Sequence, residues 1–161
     1  MDPTEAQDPR VLVIDDDEDL RELVGRVVKQ AGYAVDAVSD GQAGLEQLAQ
    51  RPYDVILCDL RMPRMDGRAF YQEVQRAHPD LARRIVLMTA HVKVGEYADF
   101  VRAVRAPTLQ KPFSLEEFRA TLARMVGPRA PRPPAAASYM LKAPMSSTLG
   151  LNCQPLSAAS L

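Results

Sequence analysis

The feature that most constrains the fold is a fivefold alternation between two apolar patterns in residues 10–126. Short runs are rich in β-branched and other apolar residues, and in the gaps apolar residues recur with the spacing of an amphipathic helix. The first, third and fourth runs are almost continuously apolar, which is typical of strands covered on both faces. Repeated strand–helix alternation predicts an α/β fold with a parallel sheet, right-handed crossovers and helices on both faces. The five runs are Val11–Ile14, Tyr33–Val38, Asp54–Cys58, Ile85–Met88 and Thr108–Gln110.

Helical spacing is clear in three places, and two of them carry end signals. Asp17 precedes the first helical pattern and is expected to be its N-cap, and Gly32 stands where a glycine commonly ends such a helix. Ser114 and Glu117 have the spacing of a capping box, which predicts the start of the last helix. The apolar sets are Leu20, Leu23, Val24, Val27, Val28 and Ala31 in the first helix, Val94, Tyr97, Ala98 and Val101 before the fifth run, and Leu115, Phe118, Leu122 and Met125 in the last helix.

The composition of the chain changes after Val126. Residues 10–126 predict one folded domain, preceded by a flexible N-terminus over residues 1–9. Residues 127–161 hold six of the 13 prolines and are rich in alanine and serine. We expect this tail to be disordered, because such composition buries too little apolar surface to offset the entropy cost of ordering. A short partner-binding segment around Tyr139–Leu141 is the alternative for the tail.

The overall composition argues against several other classes of protein. Hydrophobic residues make up 47% and charged residues 25% of the chain, as in ordinary globular proteins. No apolar stretch reaches the roughly 18 residues of a membrane span, and the N-terminus lacks a signal-peptide pattern, so a cytoplasmic location is expected. Cys58 and Cys153 suggest neither a disulfide framework nor a zinc site. The net charge of −1, without a basic stripe, gives no reason to expect nucleic-acid binding.

Polar residues stand at four of the five predicted strand ends. In open α/β sheets, ligands bind at the carboxyl ends of the strands. The residues just after the apolar runs are therefore the candidates for a functional site. They are Asp15, Asp16 and Asp17 after the first run, Asp59 after the third, Thr89 after the fourth and Lys111 after the fifth.

The residue types in this set point to phosphoryl chemistry. Clustered carboxylates repel one another unless a cation intervenes, and carboxylate oxygens with room for water suit Mg²⁺. A threonine hydroxyl can donate to a phosphoryl oxygen, and a lysine supplies a compact positive charge. Phosphoryl transfer needs mainly positioning, charge neutralisation and an in-line nucleophile, and a carboxylate can be that nucleophile.

Each of these residues also has an interpretation without a function, although Asp59, which follows a buried run, is the hardest to explain in that way. Asp17 is best explained as a helix cap, and Asp15 or Asp16 alone could be another cap or a solvated charge. Thr89 could simply end a strand, and Lys111 could be a solvated loop charge. Their joint occurrence at the correct strand ends is the argument for a site. Cys58, by contrast, is expected to be a small buried hydrophobe that points away from the site, because neighbours in a strand alternate faces.

Four segments carry a specific resemblance to the receiver domain of bacterial two-component response regulators. They are VLVIDDDEDLREL, DVILCDLRMPRMDG, VLMTA and LQKPFSLEEF, and the resemblance covers about residues 10–126. It implies the fold of the CheY-like superfamily, a flavodoxin-like (βα)₅ doubly wound sheet in strand order 2-1-3-4-5.

The resemblance also implies a role for each strand-end residue. A carboxylate accepts the phosphoryl group, an acidic pair and one backbone carbonyl hold Mg²⁺, and a hydroxyl and an ammonium contact the phosphoryl group. By position, Asp59 resembles the phosphoacceptor and is also expected to be a metal ligand. Asp16 resembles the direct metal ligand, Asp15 a ligand acting mostly through water, and Arg61 the carbonyl donor. Thr89 and Lys111 resemble the phosphoryl-contacting pair, and Pro112 a proline that follows the lysine in a cis peptide.

The implied activity is transfer of a phosphoryl group from a phosphohistidine, on a histidine kinase or phosphotransfer protein, to Asp59. The domain then catalyses only its own phosphorylation and dephosphorylation and is not an enzyme with a separate substrate.

Three settings for such a domain fit the sequence: a stand-alone receiver, a phosphorelay carrier and the receiver part of a hybrid kinase. Output is expected through protein contacts on the face made by the fifth strand and the helices that follow the fourth and fifth strands.

The chain departs from the family pattern at the switch position three residues before Lys111. The family has an aromatic residue there, and this chain has Thr108, approached by Arg105-Ala106-Pro107. We therefore expect signalling without that aromatic rotamer. Arg61 and His91 resemble variable family positions that tune dephosphorylation, although solvated side chains are the alternative for both.

Two other function classes remain open from the sequence. The first is a haloacid-dehalogenase-like phosphatase with the nucleophile in Asp15-Asp16-Asp17, but position 19 is Asp rather than the Thr or Val it needs, and Asp59 is left without a role. The second is a receiver-like module that binds partners without being phosphorylated. The intact set of acidic residues argues against this class, whereas Thr108 at the switch position argues for it.

Overall fold

The computed structural model describes residues 8–90, 95 and 97–126, and its strands form one parallel sheet in the order β2-β1-β3-β4-β5. The predicted fold class and strand order are confirmed. The strands are β1 (Arg10–Ile14), β2 (Ala34–Val38), β3 (Val55–Asp59), β4 (Ile85–Thr89) and β5 (Thr108–Gln110). The helices of this part of the chain are α1 (Glu18–Gln30), α2 (Gly41–Gln50), α3 (Gly67–Ala77), α4 (Pro79–Ala82), α5 (Ala98–Val104) and α6 (Leu115–Val126).

The sheet separates two apolar layers, because neighbouring strand residues point to opposite faces. Val11 and Val13 pack on the side of α1 and α6, whereas Leu12 and Ile14 pack on the side of α2, α3, α4 and α5. Every residue of β3 and β4 is buried, which explains their continuous apolar runs. Cys58 is fully buried in the second layer, as predicted.

The predicted helix-end signals are confirmed. The side chain of Asp17 accepts a hydrogen bond of 3.1 Å from the Leu20 amide at the start of α1, and Gly32 follows that helix with φ +87°. In the capping box of α6, the Glu117 amide donates to Ser114 Oγ at 3.1 Å, and the Ser114 amide donates to the Glu117 carboxylate at 2.8 Å.

Two helical details differ from the sequence prediction. The pattern that includes Tyr97 predicts a helix already at Val94, but α5 begins only at Ala98. Gly95 has φ +107°, which a right-handed helix does not contain, so the helix starts after it. The short helix α4, which has Pro79 at its first position, was not predicted.

Several predictions fall outside the described residues. They concern most of the flexible N-terminus (residues 1–7), the tail (residues 127–161, with Cys153), His91 and Val94. Within the described part, no helix combines the length and apolar character needed to cross a membrane.

Candidate functional site

The predicted site residues come together at the carboxyl edge of the sheet. Asp59 and Thr89 are the last residues of β3 and β4, and Asp15 and Lys111 directly follow β1 and β5. The strand register places Asp59 beside Met88, one residue before Thr89. The Lys111 amide donates to the Thr89 carbonyl at 2.8 Å, which extends the β4–β5 pairing to the lysine. Parallel pairing thus gathers residues that are up to 96 positions apart.

The Lys111 ammonium lies between two buried carboxylates. Its Nζ atom is 2.8 Å from Asp15 Oδ2 and 3.3 Å from Asp59 Oδ1. Asp15 is fully buried, and Asp59 is 7% exposed. Because buried charges are costly unless they are paired, the lysine offsets part of the cost of burying both acids.

Three carboxylates form one cluster of oxygen atoms. One carboxylate oxygen from each of Asp15, Asp16 and Asp59 lies within 4.8 Å of the others, with Asp16 exposed to solvent. An all-oxygen donor set that opens on solvent suits Mg²⁺, which binds through a few carboxylates and keeps several waters. The cluster therefore fits the ion that the sequence implies.

The site raises the pKa of both Asp59 and Lys111, but for different reasons. Burial is the main reason that the pKa of Asp59 rises from 3.8 to about 6; the Lys111 ammonium lowers it, and the Asp15 and Asp16 carboxylates raise it. Burial alone lowers the pKa of Lys111, but the hydrogen bond to Asp15 and the charges of Asp59 and Asp15 outweigh it, so that this pKa is raised. The lysine is therefore a permanent positive charge in the site.

The carboxylate cluster lies in an open cleft of about 570 Å³. Thr89, which is 6% exposed, lines the cleft together with Asp59 and Lys111. Arg61 lines it from the loop after β3, so the residue expected to offer a carbonyl is at the site. The peptide bond between Lys111 and Pro112 is cis, as the resemblance implies.

Local contacts hold the β1–α1 loop in place. The Asp17 amide donates to Asp15 Oδ1 at 3.0 Å, and the Arg21 guanidinium donates to the Asp15 carbonyl at 2.8 Å. Asp17 itself caps α1, so its main role is the structural one expected from the sequence.

The start of α3 lies directly against the end of β3. The Gly67 amide donates to the Leu60 carbonyl at 2.9 Å. A Cβ atom at position 67 would lie 2.3 Å from the Asp59 carbonyl oxygen and 2.7 Å from Leu60 Cα, so only glycine fits this contact. The glycine therefore fixes the path of the backbone that carries Asp59.

Two residues that line the cleft, Gly95 and Tyr97, were not predicted as site residues from the sequence. Tyr97 was assigned to a helical apolar face, but it lines the cleft, and its hydroxyl donates to Asp66 Oδ2 at 3.1 Å. Asp66 is the N-cap of α3, so the bond links the segment before α5 to the start of α3. At the switch position, the Thr108 hydroxyl donates to the Ala106 carbonyl at 3.1 Å.

In doubly wound α/β proteins the ligand site lies at the carboxyl ends of the strands, where this chain has its lysine-bridged carboxylate cluster. The family model for the response regulator receiver domain matches residues 11–123 of this chain. The chain therefore belongs to the response regulator receiver domain family. This finding confirms the family predicted from the sequence and favours a receiver over the phosphatase.

Individual relatives agree with this assignment. The chain is 34% identical over 116 residues to the DNA-binding transcriptional regulator NtrC of Escherichia coli (strain K12), covering 72% of this chain and 24% of NtrC. It matches the structure of the Vibrio cholerae chemotaxis protein CheY4 with a TM-score of 0.65 and 31% identity, covering 73% of this chain and 98% of that one.

A third relative was solved with a metal ion. The receiver domain of the sensor histidine kinase PA1611 from Pseudomonas aeruginosa PAO1 holds a magnesium ion in its active-site cleft. This chain matches it with a TM-score of 0.68 and 27% identity, covering 76% of this chain and 100% of that one.

The matched region is a receiver domain of two-component signalling, and its aspartate cluster is consistent with magnesium binding and phosphorylation. The chain spans between 24% and about half of the length of the curated relatives it matches.

Proposed function

We propose that Asp59 accepts a phosphoryl group from a phosphohistidine on a histidine kinase or phosphotransfer protein. The observation that carries this proposal is the position of the Asp59 carboxylate. It is 3.3 Å from the Lys111 ammonium, within 4.8 Å of the Asp15 and Asp16 oxygens, and at the wall of an open cleft.

In the transfer step, an oxygen of the Asp59 carboxylate attacks the phosphorus atom in line with the departing imidazole nitrogen. The new O–P bond forms as the N–P bond breaks, and the imidazole leaves with the electron pair and takes up a proton. Asp59 suits the nucleophile role better than Asp15, because Asp15 is fully buried and both of its oxygens already accept hydrogen bonds.

Asp15, Asp16 and Asp59, with the Arg61 carbonyl, form the proposed magnesium site. When bound, Mg²⁺ supplies positive charge to the oxygens of the phosphoryl group in transfer. The carboxylate cluster and the magnesium-containing relative support this assignment.

Thr89 and Lys111, which line the same cleft, stabilise the phosphoryl group. The Thr89 hydroxyl donates to a phosphoryl oxygen, and Lys111 neutralises the charge that the transfer brings into the cleft. Lys111 already contacts Asp59, so little rearrangement precedes the reaction.

The domain reverses its own modification by hydrolysis and acts on no separate substrate. Water attacks phosphorus, the bond from phosphorus to the Asp59 oxygen breaks, and inorganic phosphate leaves. Arg61 lines the cleft, and we propose that its side chain tunes this step. The same role is proposed for His91, which lies outside the described residues.

The proposed output is a change in protein contacts, made in the cytoplasm by a receiver domain that comprises residues 10–126. The proposed face consists of β5, α5 and α6. A stand-alone receiver, a phosphorelay carrier and a hybrid kinase remain three possible settings for this domain.

The test is to incubate the purified chain with Mg²⁺ and acetyl phosphate, or with the phosphoryl mimic beryllofluoride. We expect the wild type to gain one phosphoryl group by intact-mass measurement and Asp59→Asn to gain none. Asp80→Asn, a change at an exposed aspartate outside the cleft, is the matched control and should be labelled like the wild type. A label that persists in Asp59→Asn and depends on Asp15 would support a phosphatase. A wild type that takes neither label nor mimic would support an interaction module.

A further inference from the structure

Among the described residues that line the cleft, Tyr97 is the aromatic one, and the switch position of the chain holds Thr108. Its ring is partly buried against the apolar layer that contains α3 and α5. The hydroxyl end donates to Asp66 Oδ2 at 3.1 Å. The ring is therefore anchored at both ends within the wall of the cleft.

A second contact holds the same ring. The guanidinium carbon of Arg68 lies 5.7 Å from the ring centroid, within the range of a cation–π interaction. Asp66 is itself fixed, because its other oxygen accepts a hydrogen bond of 2.8 Å from the Ala69 amide at the start of α3. Tyr97 thus connects the segment before α5 with the loop that follows the proposed phosphoacceptor.

We propose that Tyr97 is a positioning residue that lengthens the lifetime of the phosphoryl group on Asp59, an inference that rests on the proposed function. Hydrolysis requires a water molecule to reach the phosphorus atom on the side opposite the Asp59 oxygen. As water attacks, the bond from phosphorus to the Asp59 oxygen breaks, and the carboxylate takes the electron pair. Phosphate and a proton are then released to solvent. A ring held in the cleft wall restricts that approach. The bond to Asp66 keeps the ring in place.

The test compares the rates of gain and loss of the phosphoryl group. Full-length variants are labelled with acetyl phosphate and Mg²⁺, the donor is removed, and the labelled fraction is followed by intact mass. We expect Tyr97→Phe to raise the decay rate about threefold, the size of effect that loss of one partly exposed hydrogen bond produces. We expect Tyr97→Ala to raise it about tenfold, because the wall itself is removed.

Two further variants separate a positioning role from a general structural one. Asp66→Ser keeps a good N-cap for α3 but removes the acceptor for Tyr97, so its decay rate should equal that of Tyr97→Phe, and the double variant should decay no faster than either. Tyr33→Phe, a change outside the cleft, is the control and should decay like the wild type. Initial labelling rates and unfolding midpoints should stay close to wild type in Tyr97→Phe.

Three results would overturn the inference. Equal decay rates in wild type, Tyr97→Phe and Tyr97→Ala would leave the proposed function standing and remove the role of Tyr97. Additive effects of Tyr97→Phe and Asp66→Ser would show that the bond between them is not the cause. A wild type that takes no label would contradict the proposed function, and this inference with it.

Discussion

At the scale of single residues, the electrostatics of the site depend on the contact of one lysine with two buried carboxylates. Lys111 lies 2.8 Å from Asp15 and 3.3 Å from Asp59, yet the pKa of Asp59 is still raised to about 6, chiefly by burial. One cation therefore does not fully compensate the buried acid. The folded domain carries an electrostatic cost at Asp59 that grows as this carboxyl ionises.

This cost predicts a pH-dependent gain of stability in Asp59→Asn. In the folded state Asp59 binds its proton more tightly than in the unfolded chain. The stability that this proton contributes to the fold is complete below pH 3.8 and is lost as pH rises through about 6. Without metal, Asp59→Asn should exceed the wild type in free energy of unfolding by about 2 kcal/mol at pH 7.5, and by much less near pH 4.5.

Urea unfolding in EDTA at both pH values measures this difference. Asp99→Asn removes an exposed carboxylate of α5 and serves as the control, with a small and nearly constant effect. A gain in Asp59→Asn that is the same at both pH values would contradict the assigned pKa.

The sequence identified the strand-end residues of the site but not the link between Tyr97 and Asp66. Asp15, Asp59 and Lys111 follow apolar runs, so their convergence is a consequence of parallel pairing. Tyr97 and Asp66 are 31 residues apart, and neither directly follows a strand. Their contact depends on where α5 begins, which the apolar pattern placed too early because it does not register the positive φ of Gly95.

At the scale of secondary-structure elements, the position of α3 depends on the glycine at its first residue, Gly67. The backbone of Gly67 touches the carbonyl of Asp59, and no Cβ fits between them. The ends of β1, β3 and β4 were predicted to within one residue because their apolar runs are nearly continuous. The four-residue α4 contains only two buried residues, too few to produce a helical period in the sequence.

Gly67→Ala should therefore destabilise the domain by about 2 kcal/mol or more, since the added methyl group meets backbone atoms that cannot move aside cheaply. Gly25→Ala is the matched control within α1. A Cβ atom there has nothing within 4 Å, and the change should stabilise the domain by up to about 1 kcal/mol. Urea unfolding of both variants is the measurement, and equal effects of the two changes would contradict the contact.

The capping box of α6 gives a second prediction at this scale. Ser114→Ala removes the acceptor for the Glu117 amide and should cost about 1 kcal/mol of unfolding free energy. Ser39→Ala, in the loop before α2, is the control and should cost less than about 0.5 kcal/mol. Thermal unfolding of the two variants at pH 7 provides the comparison, and an unchanged midpoint in Ser114→Ala would show that the box contributes nothing.

At the scale of the whole molecule, the elements up to Val126 already cover both faces of the sheet. α1 and α6 complete one apolar layer, and α2 to α5 complete the other. The family match ends at residue 123, close to the end of α6. We therefore propose that the described elements suffice for an independently stable domain.

We accordingly expect a chain that ends at Val126 to retain the fold and the chemistry. Its unfolding midpoint should lie within about 2 °C of the full-length value, because no layer of the core is opened. Its labelling by acetyl phosphate should be unchanged. A truncated chain that unfolds several degrees lower would show that residues 127–161 contribute to the folded domain.

Among the described residues, the buried apolar side chains fall into two separate clusters, one on each side of the sheet. A change of side-chain volume beneath α1 can be absorbed by repacking on that side, without disturbing the packing beneath α3. Substitutions on the two sides should then combine independently in stability measurements, as expected for sites that share no partners. Substitutions that accumulate during evolution can therefore change the packing and surface of the helices on one side of the sheet, while the helices on the opposite side keep their packing.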